Sequence, residues 1–280
     1  NSTGVSYTNC EGHFWIFPGQ SARITPVTSI LRSTVEASKM HHDESSDSPK
    51  SPHVEIGNGA RTRLQEFRPA LVVIDMQNAY CTHGGSYEKF GADISAYRRI
   101  IPNVKKMIDA CHELQIAVFF TQQVREPSGI DLLTRRHRII PKERLEFIEE
   151  NPSCVRGTWD AAIIDELMPT EDDHIVTKRR DSAFQDTEFE LWLESIGADT
   201  IIFTGVDTCI CVENSLREGF NKGWDVILVE DAVASAWQKL HEAALETVRA
   251  SFGLVLTTEQ LIHMLHTGKR GTSVFTFEQL

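Results

Sequence analysis

The chain has 280 residues, a formal net charge of −12, 41% hydrophobic and 24% charged residues. This is the composition of a globular chain, and no stretch approaches the roughly 18 to 20 apolar residues that a membrane-spanning helix needs. The acidic balance argues against nucleic acid or an anionic membrane surface as partner, since either demands a basic patch. Six cysteines at irregular spacing do not suggest a disulfide framework, and no CxxC pair offers a zinc site. The sequence does not open on a basic segment followed by about 7 to 15 apolar residues, so no secretory leader is read and a cytoplasmic location is expected.

Residues 1–67 differ in character from the rest of the chain. HFWIFPGQ at 13–20 is an aromatic patch without helical or strand period, and SKMHHDESSDSPKSP at 38–52 is a polar, Ser/Pro-rich linker by composition. The expected division is an N-terminal extension over 1–67 and a folded domain over 68–280.

From Ala70 the pattern is regular. ALVVID at 70–75 is an apolar run of strand length ending in an acid, the mark of a strand buried on both faces of a parallel sheet. A helix over about Ile94 to Leu114 precedes a second buried strand, IAVFFTQQ. The segment 125–158 is a long excursion that includes the basic cluster Arg135, Arg136, His137 and Arg138, and its length makes it a candidate lid. Further strands are predicted at HIVTK (174–178), TIIFTGV (200–206), DVILVED (225–231) and GLVLTT (253–258), with helices near 160–168, 187–196, 211–222 and 238–251. Such alternation implies βαβ crossovers. The expected fold class is α/β, a three-layer α/β/α arrangement around a six-stranded, mainly parallel sheet.

Ligands of open parallel sheets bind outside the carboxyl ends of the strands. The residues there are Asp75 with Gln77 and Asn78, Gln122 and Gln123, Lys178 with Arg179 and Arg180, Asp207 to Cys211, and Glu230 with Asp231. An acid, a lysine and a cysteine in that set are the parts of an activated thiol. A thiol attacks as thiolate, a carboxylate can take its proton, and an ammonium can hold that carboxylate ionised. Amides of a first helical turn lack intrahelical acceptors and are available to an oxyanion. The same residues also have plainer readings, with Asp75 as a helix cap, Lys178 as a solvated strand end and the cysteines as buried packing. Spacing alone does not choose between Cys209 and Cys211.

Five motifs, in order, go further: ALVVIDMQNAY (70–80) with Gly84 and Gly85, GTWDAAIIDELMP (157–169), VTKRRDSAF (176–184), FTGVDTCICVENSLREGF (203–220) and VILVEDA (226–232). Together they resemble the isochorismatase-like cysteine hydrolase family over about residues 68–265, and within it the branch that hydrolyses ureidoacrylate, biuret and other ureido or carbamoyl compounds. The resemblance implies a Rossmann-like fold and a metal-independent amidohydrolase. It makes Asp75 the general base, Lys178 the orienting cation and Cys211 the nucleophile, because the family motif GVxTxxCV ends on the cysteine before Val212. It also implies a cis peptide between Val206 and Asp207, and an oxyanion held by the amides of Asp207 and Cys211. The chemistry implied is cleavage of a linear amide or ureido C–N bond through a thioester.

The nicotinamidase branch carries a metal-binding Asp-x-His pair after its second strand, where this chain reads TQQV at 121–124, so neither metal nor other cofactor is expected. Gln77, Asn78, Tyr80, Gln123, Trp159 and Phe184 are candidate walls of the substrate pocket or members of the core. Arg179 either recognises a substrate carboxylate or faces solvent. The family likeness further implies a homo-oligomer, dimer or tetramer, acting on a small molecule. The competing readings are vinyl-ether hydrolysis of an isochorismate-like compound, in which the cysteine is dispensable, and a non-catalytic interaction protein on the same fold.

Overall fold

Pro69–Ile74 forms β1, and its run of apolar, mostly branched side chains is buried on both sides, as a central strand requires. The structure, a computed structural model, describes residues 68–132, 139 and 152–267. The N-terminal extension, most of the candidate lid and its basic cluster lie outside the described residues.

Two short helices, α1 (Asn78–Cys81) and α2 (Ser86–Lys89), precede the long α3 (Ser95–Glu113). In α3, Tyr97, Ile100, Ile101, Val104, Met107, Ile108 and Cys111 recur at three and four residues and form one buried stripe. After it come β2 (Val118–Gln123), β3 (His174–Lys178), α4 (Phe189–Ser195), β4 (Thr200–Val206), α5 (Glu213–Lys222), β5 (Asp225–Ala234), α6 (Gln238–Ser251), β6 (Leu254–Leu256) and α7 (Thr258–Thr267). The strand order is β3-β2-β1-β4-β5-β6, and every neighbouring pair is parallel. Successive residues of β1 serve opposite layers. Leu71 and Val73 pack with α3 and α7, whereas Ala70, Val72 and Ile74 pack with α4, α5 and α6. The three-layer α/β/α architecture is therefore the observed one.

Two predicted elements differ. The helix expected near 160–168 is instead a pair of single 3₁₀ turns, Trp159–Ala161 and Asp165–Leu167. Its carbonyls are taken by other partners: Trp159 O accepts Asn78 Nδ2, and Ala161 O accepts both Gln77 Nε2 and Gln122 Nε2. The helix expected to begin at 211 begins at Glu213, after a π-type turn over Thr208–Val212. The last helix, α7, was not anticipated from the sequence. It starts where Asp231 accepts both the amide and the hydroxyl of Thr258.

Candidate active site

β1 and β4 lie side by side, but the chain leaves them toward opposite faces, with α3 on one layer and α5 on the other. The crevice at their carboxyl ends is a topological switch point, where open α/β sheets hold ligands. Asp75 follows β1 and Cys211 follows β4, so both arrive at this crevice. The approach is close because Gly205, paired in register with Ile74, has φ +100°; a Cβ there would stand 2.1 Å from the Ile74 carbonyl oxygen.

Asp75 is buried and has φ +48°, a backbone region that aspartate tolerates better than most residues. Its amide donates to Thr121 Oγ1 at 3.0 Å, and the Thr121 hydroxyl returns a 2.6 Å bond to Oδ1. Oδ2 lies 2.7 Å from Lys178 Nζ as an ion pair, yet it accepts no hydrogen bond of ordinary geometry. Lys178 is fully buried at the end of β3, where it pairs in register with Gln123. Its ammonium also donates to Gln123 Oε1 at 3.1 Å and to the carbonyls of Arg180 at 3.0 Å and Asp181 at 3.1 Å. Burial draws the Lys178 pKa down, the Asp75 carboxylate opposes it, and the net shift is upward. The ammonium is held as a cation.

Cys211 lies on the π-type turn with its thiol within hydrogen-bond reach of the Asp75 carboxylate. Burial pushes this thiol well above the usual range; Lys178 opposes that shift, and Asp75 and Asp181 add to it. The resting arrangement is thus a neutral thiol beside a buried ion pair. Deprotonation needs an acceptor at contact distance, and the Asp75 carboxylate is the group within hydrogen-bond reach of the thiol.

Cys209 is on the other side of the same turn. Its thiol donates to Asp207 Oδ1 at 3.2 Å and lies 3.5 Å from Ser235 Oγ. Burial, and next the Asp207 carboxylate, push it up to about 12. Asp207 follows a cis peptide bond from Val206, and its second oxygen accepts the Tyr97 hydroxyl at 2.7 Å.

The other sequence candidates divide. Gln123 is brought to Lys178: Oε1 must face the ammonium, which leaves Nε2 buried and without a partner. Tyr80 is brought there too, with its hydroxyl on the Cys154 sulfur, its ring 4.7 Å from that of Tyr87, and the Asp75 carboxylate among the charges it senses. Gln77 and Asn78 are taken up by the scaffold. Gln77 Nε2 donates to Gln123 O and Ala161 O while Oε1 accepts the Gln123 amide. Asn78 is engaged by the Trp159 carbonyl and the Thr82 hydroxyl. Phe184 is a core residue, 4.9 Å from Phe189 and 5.6 Å from Trp224 between ring centroids. Trp159 is 53% exposed. The Arg179 guanidinium is held by Glu126 at 2.6 Å and faces Asp131 at 3.6 Å. Glu230 and Asp231 are likewise engaged elsewhere, by Arg249 and Thr258. Sequence reading missed Thr121 and Tyr97. Thr121 had a legible signal, as the first polar side chain after the apolar run of β2, whereas nothing local marked Tyr97 within its helix.

The isochorismatase domain matches residues 69–260 of the chain. The ureidoacrylate amidohydrolase RutB of Yersinia enterocolitica is 34% identical over 197 residues, covering 68% of this chain and 86% of that protein. The enzyme of the same name from Serratia proteamaculans is 33% identical over 216 residues, covering 74% and 87%. Among solved structures, a cysteine hydrolase from Pseudomonas syringae pv. phaseolicola superposes with a TM-score of 0.63 at 26% identity, over 72% of this chain and 94% of that one.

Proposed function

We propose, starting from a chain that belongs to the isochorismatase family, that the protein is a cysteine amidohydrolase cleaving the C–N bond of a small ureido or carbamoyl compound. The observation that carries this reading is the contact set of Asp75, one oxygen on the Lys178 ammonium and the same carboxylate against the Cys211 thiol. Similarity to ureidoacrylate amidohydrolases supports the substrate class.

In the proposed reaction Asp75 takes the proton of Cys211 as the sulfur adds to the substrate carbonyl, so that thiolate never accumulates in the free enzyme. Lys178 stays protonated and offsets the charge that passes from carboxylate to sulfur to oxyanion. The amides of Asp207 and Cys211 receive the oxyanion. Collapse breaks the C–N bond, the proton held on Asp75 goes to the departing nitrogen, and water then hydrolyses the acyl–sulfur bond and restores the thiol. The unpartnered Nε2 of Gln123 supplies a hydrogen bond to an acceptor atom of the substrate, and Tyr80 with Tyr87 closes one wall.

Ammonia release tests this on ureidoacrylate, biuret, carbamoyl amino acids, nicotinamide and simple amides, with wild type beside Cys211→Ser. Turnover of a ureido or carbamoyl member, abolished by the substitution, is the expected result. Cleavage of isochorismate with no release from any amide would overturn the reading in favour of vinyl-ether hydrolysis.

A further inference from the structure

A second acid sits in the site, and the proposed reaction does not use its carboxylate. Asp207 is 8% exposed and lies on the turn that carries Cys211. Among the described residues no lysine or arginine pairs with it. Three uncharged donors hold it instead: the Tyr97 hydroxyl on Oδ2 at 2.7 Å, and the amide and thiol of Cys209 on Oδ1 at 3.1 and 3.2 Å. A buried carboxylate without a countercharge is costly unless such donors converge on it.

The donors are themselves anchored. Tyr97 is fully buried on α3, and its oxygen accepts the Ala236 amide at 3.1 Å, so one hydroxyl ties α3, the chain after β5 and the turn after β4 together. The Cys209 sulfur lies 3.5 Å from Ser235 Oγ, which accepts the Trp237 amide at 3.0 Å. The Asp207 carbonyl accepts the amides of Ile210 and Val212, both at 3.1 Å. Residue 207 is thereby fixed through its side chain and through its carbonyl, and the turn bearing Cys211 hangs from it.

We propose that Tyr97 and Cys209 are positioning residues that hold the Asp207 carboxylate and, through it, set the Asp207–Val212 turn against the substrate carbonyl. The inference rests on the amidohydrolase reading for its kinetic consequence. Two effects are expected of these donors. They keep the turn in one conformation, and they hold the Asp207 negative charge on the Tyr97 hydroxyl and on the Cys209 amide and thiol. Both matter more in the transition state than in the Michaelis complex, so loss of either donor falls on kcat rather than on KM. The role also explains two cysteines in one turn: Cys209 acts as a hydrogen-bond donor, and Cys211 is left as the nucleophile.

The test compares Tyr97→Phe, Cys209→Ala and Cys209→Ser with wild type and Cys211→Ala, reading kcat and KM on ureidoacrylate and amide hydrogen exchange over 207–212 by mass spectrometry. Tyr97→Phe and Cys209→Ala are expected to lower kcat at least about tenfold, with KM within about twofold, and to speed exchange in that segment while β1 is unchanged. Cys209→Ser keeps a donor and is expected to retain most of kcat. Unaltered exchange and unaltered kcat in both donor deletions would overturn the positioning role, as would equal losses in Cys209→Ser and Cys209→Ala. Undiminished turnover in Cys211→Ala would instead sink the amidohydrolase reading, and hydrogen exchange then decides the network on its own.

Discussion

Lys178 Nζ stands 2.7 Å from Asp75 Oδ2, with the two side chains 0% and 1% exposed. Removing one member of a buried ion pair strands the other charge, which costs about 3 to 5 kcal/mol, whereas removing both is far cheaper. Lys178→Met is therefore expected to lower unfolding free energy by about that amount, and Lys178→Met combined with Asp75→Asn to recover most of it. Both variants should be inactive. Denaturant unfolding of the two proteins checks this, and a double variant less stable than the single one would contradict it.

Gln77 separates scaffold from pocket. Its three hydrogen bonds, two to carbonyls and one from an amide, join the ends of β1 and β2 to the 159–161 turn. Each buried bond contributes about 1 kcal/mol and leaves a partner unsatisfied when lost. Gln77→Leu is expected to lose about 2 to 4 kcal/mol of stability while KM stays within about twofold. A large rise in KM with unchanged thermal stability would make Gln77 a substrate ligand instead.

Gly205 sets how closely β4 approaches β1. Its φ of +100° and the 2.1 Å approach of an added Cβ to the Ile74 carbonyl leave no room for a side chain. Gly205→Ala is expected to destabilise by more than about 1 kcal/mol and to reduce turnover, since Asp75 and the Cys211 turn come directly after the two strands. Calorimetry with a turnover assay reads both, and full activity at unchanged melting temperature would contradict the close approach.

Alkaline pH should weaken the fold through its buried thiols. Burial raises Cys111 from 9.0 to about 12, so the folded state holds this proton more tightly than the unfolded chain. The associated stability is fully present below pH 9.0 and is lost as pH rises toward about 12. Lys178, also shifted upward, acts in the same direction above its ordinary 10.5. Each such thiol contributes a decline of about 1.4 kcal/mol per pH unit once the unfolded form is ionised. Cys111→Ala is expected to be less stable at neutral pH and to show a shallower decline above pH 9 by about that slope; an identical slope would contradict the assignment.

The central strands β1 and β4 were legible because they are apolar runs that only a doubly covered sheet can bury, and α3 because its buried residues keep a three-and-four spacing. Asp75 and Lys178 were legible as polar types stationed where such runs end, whereas Cys211 was separated from Cys209 only by the family motif. What escaped depended on distant contacts. The 159–167 segment has helical composition, but its carbonyls are claimed by Asn78, Gln77 and Gln122, partners about 40 to 85 residues away in sequence. Phe184 looked equally suited to pocket or core, and only its ring contacts with Phe189 and Trp224 distinguish them. Tyr97 was hidden because its hydroxyl belongs to the site while its ring belongs to the apolar stripe of α3.

Turnover by purified Cys211→Ala, set beside wild type on whichever ureido or carbamoyl compound the wild type hydrolyses fastest, tests the proposed chemistry most directly. With Cys211 as nucleophile, kcat is expected to fall by at least about ten-thousandfold in a protein whose melting temperature is unchanged. Retention of wild-type turnover by that variant would contradict a thiol mechanism in this site.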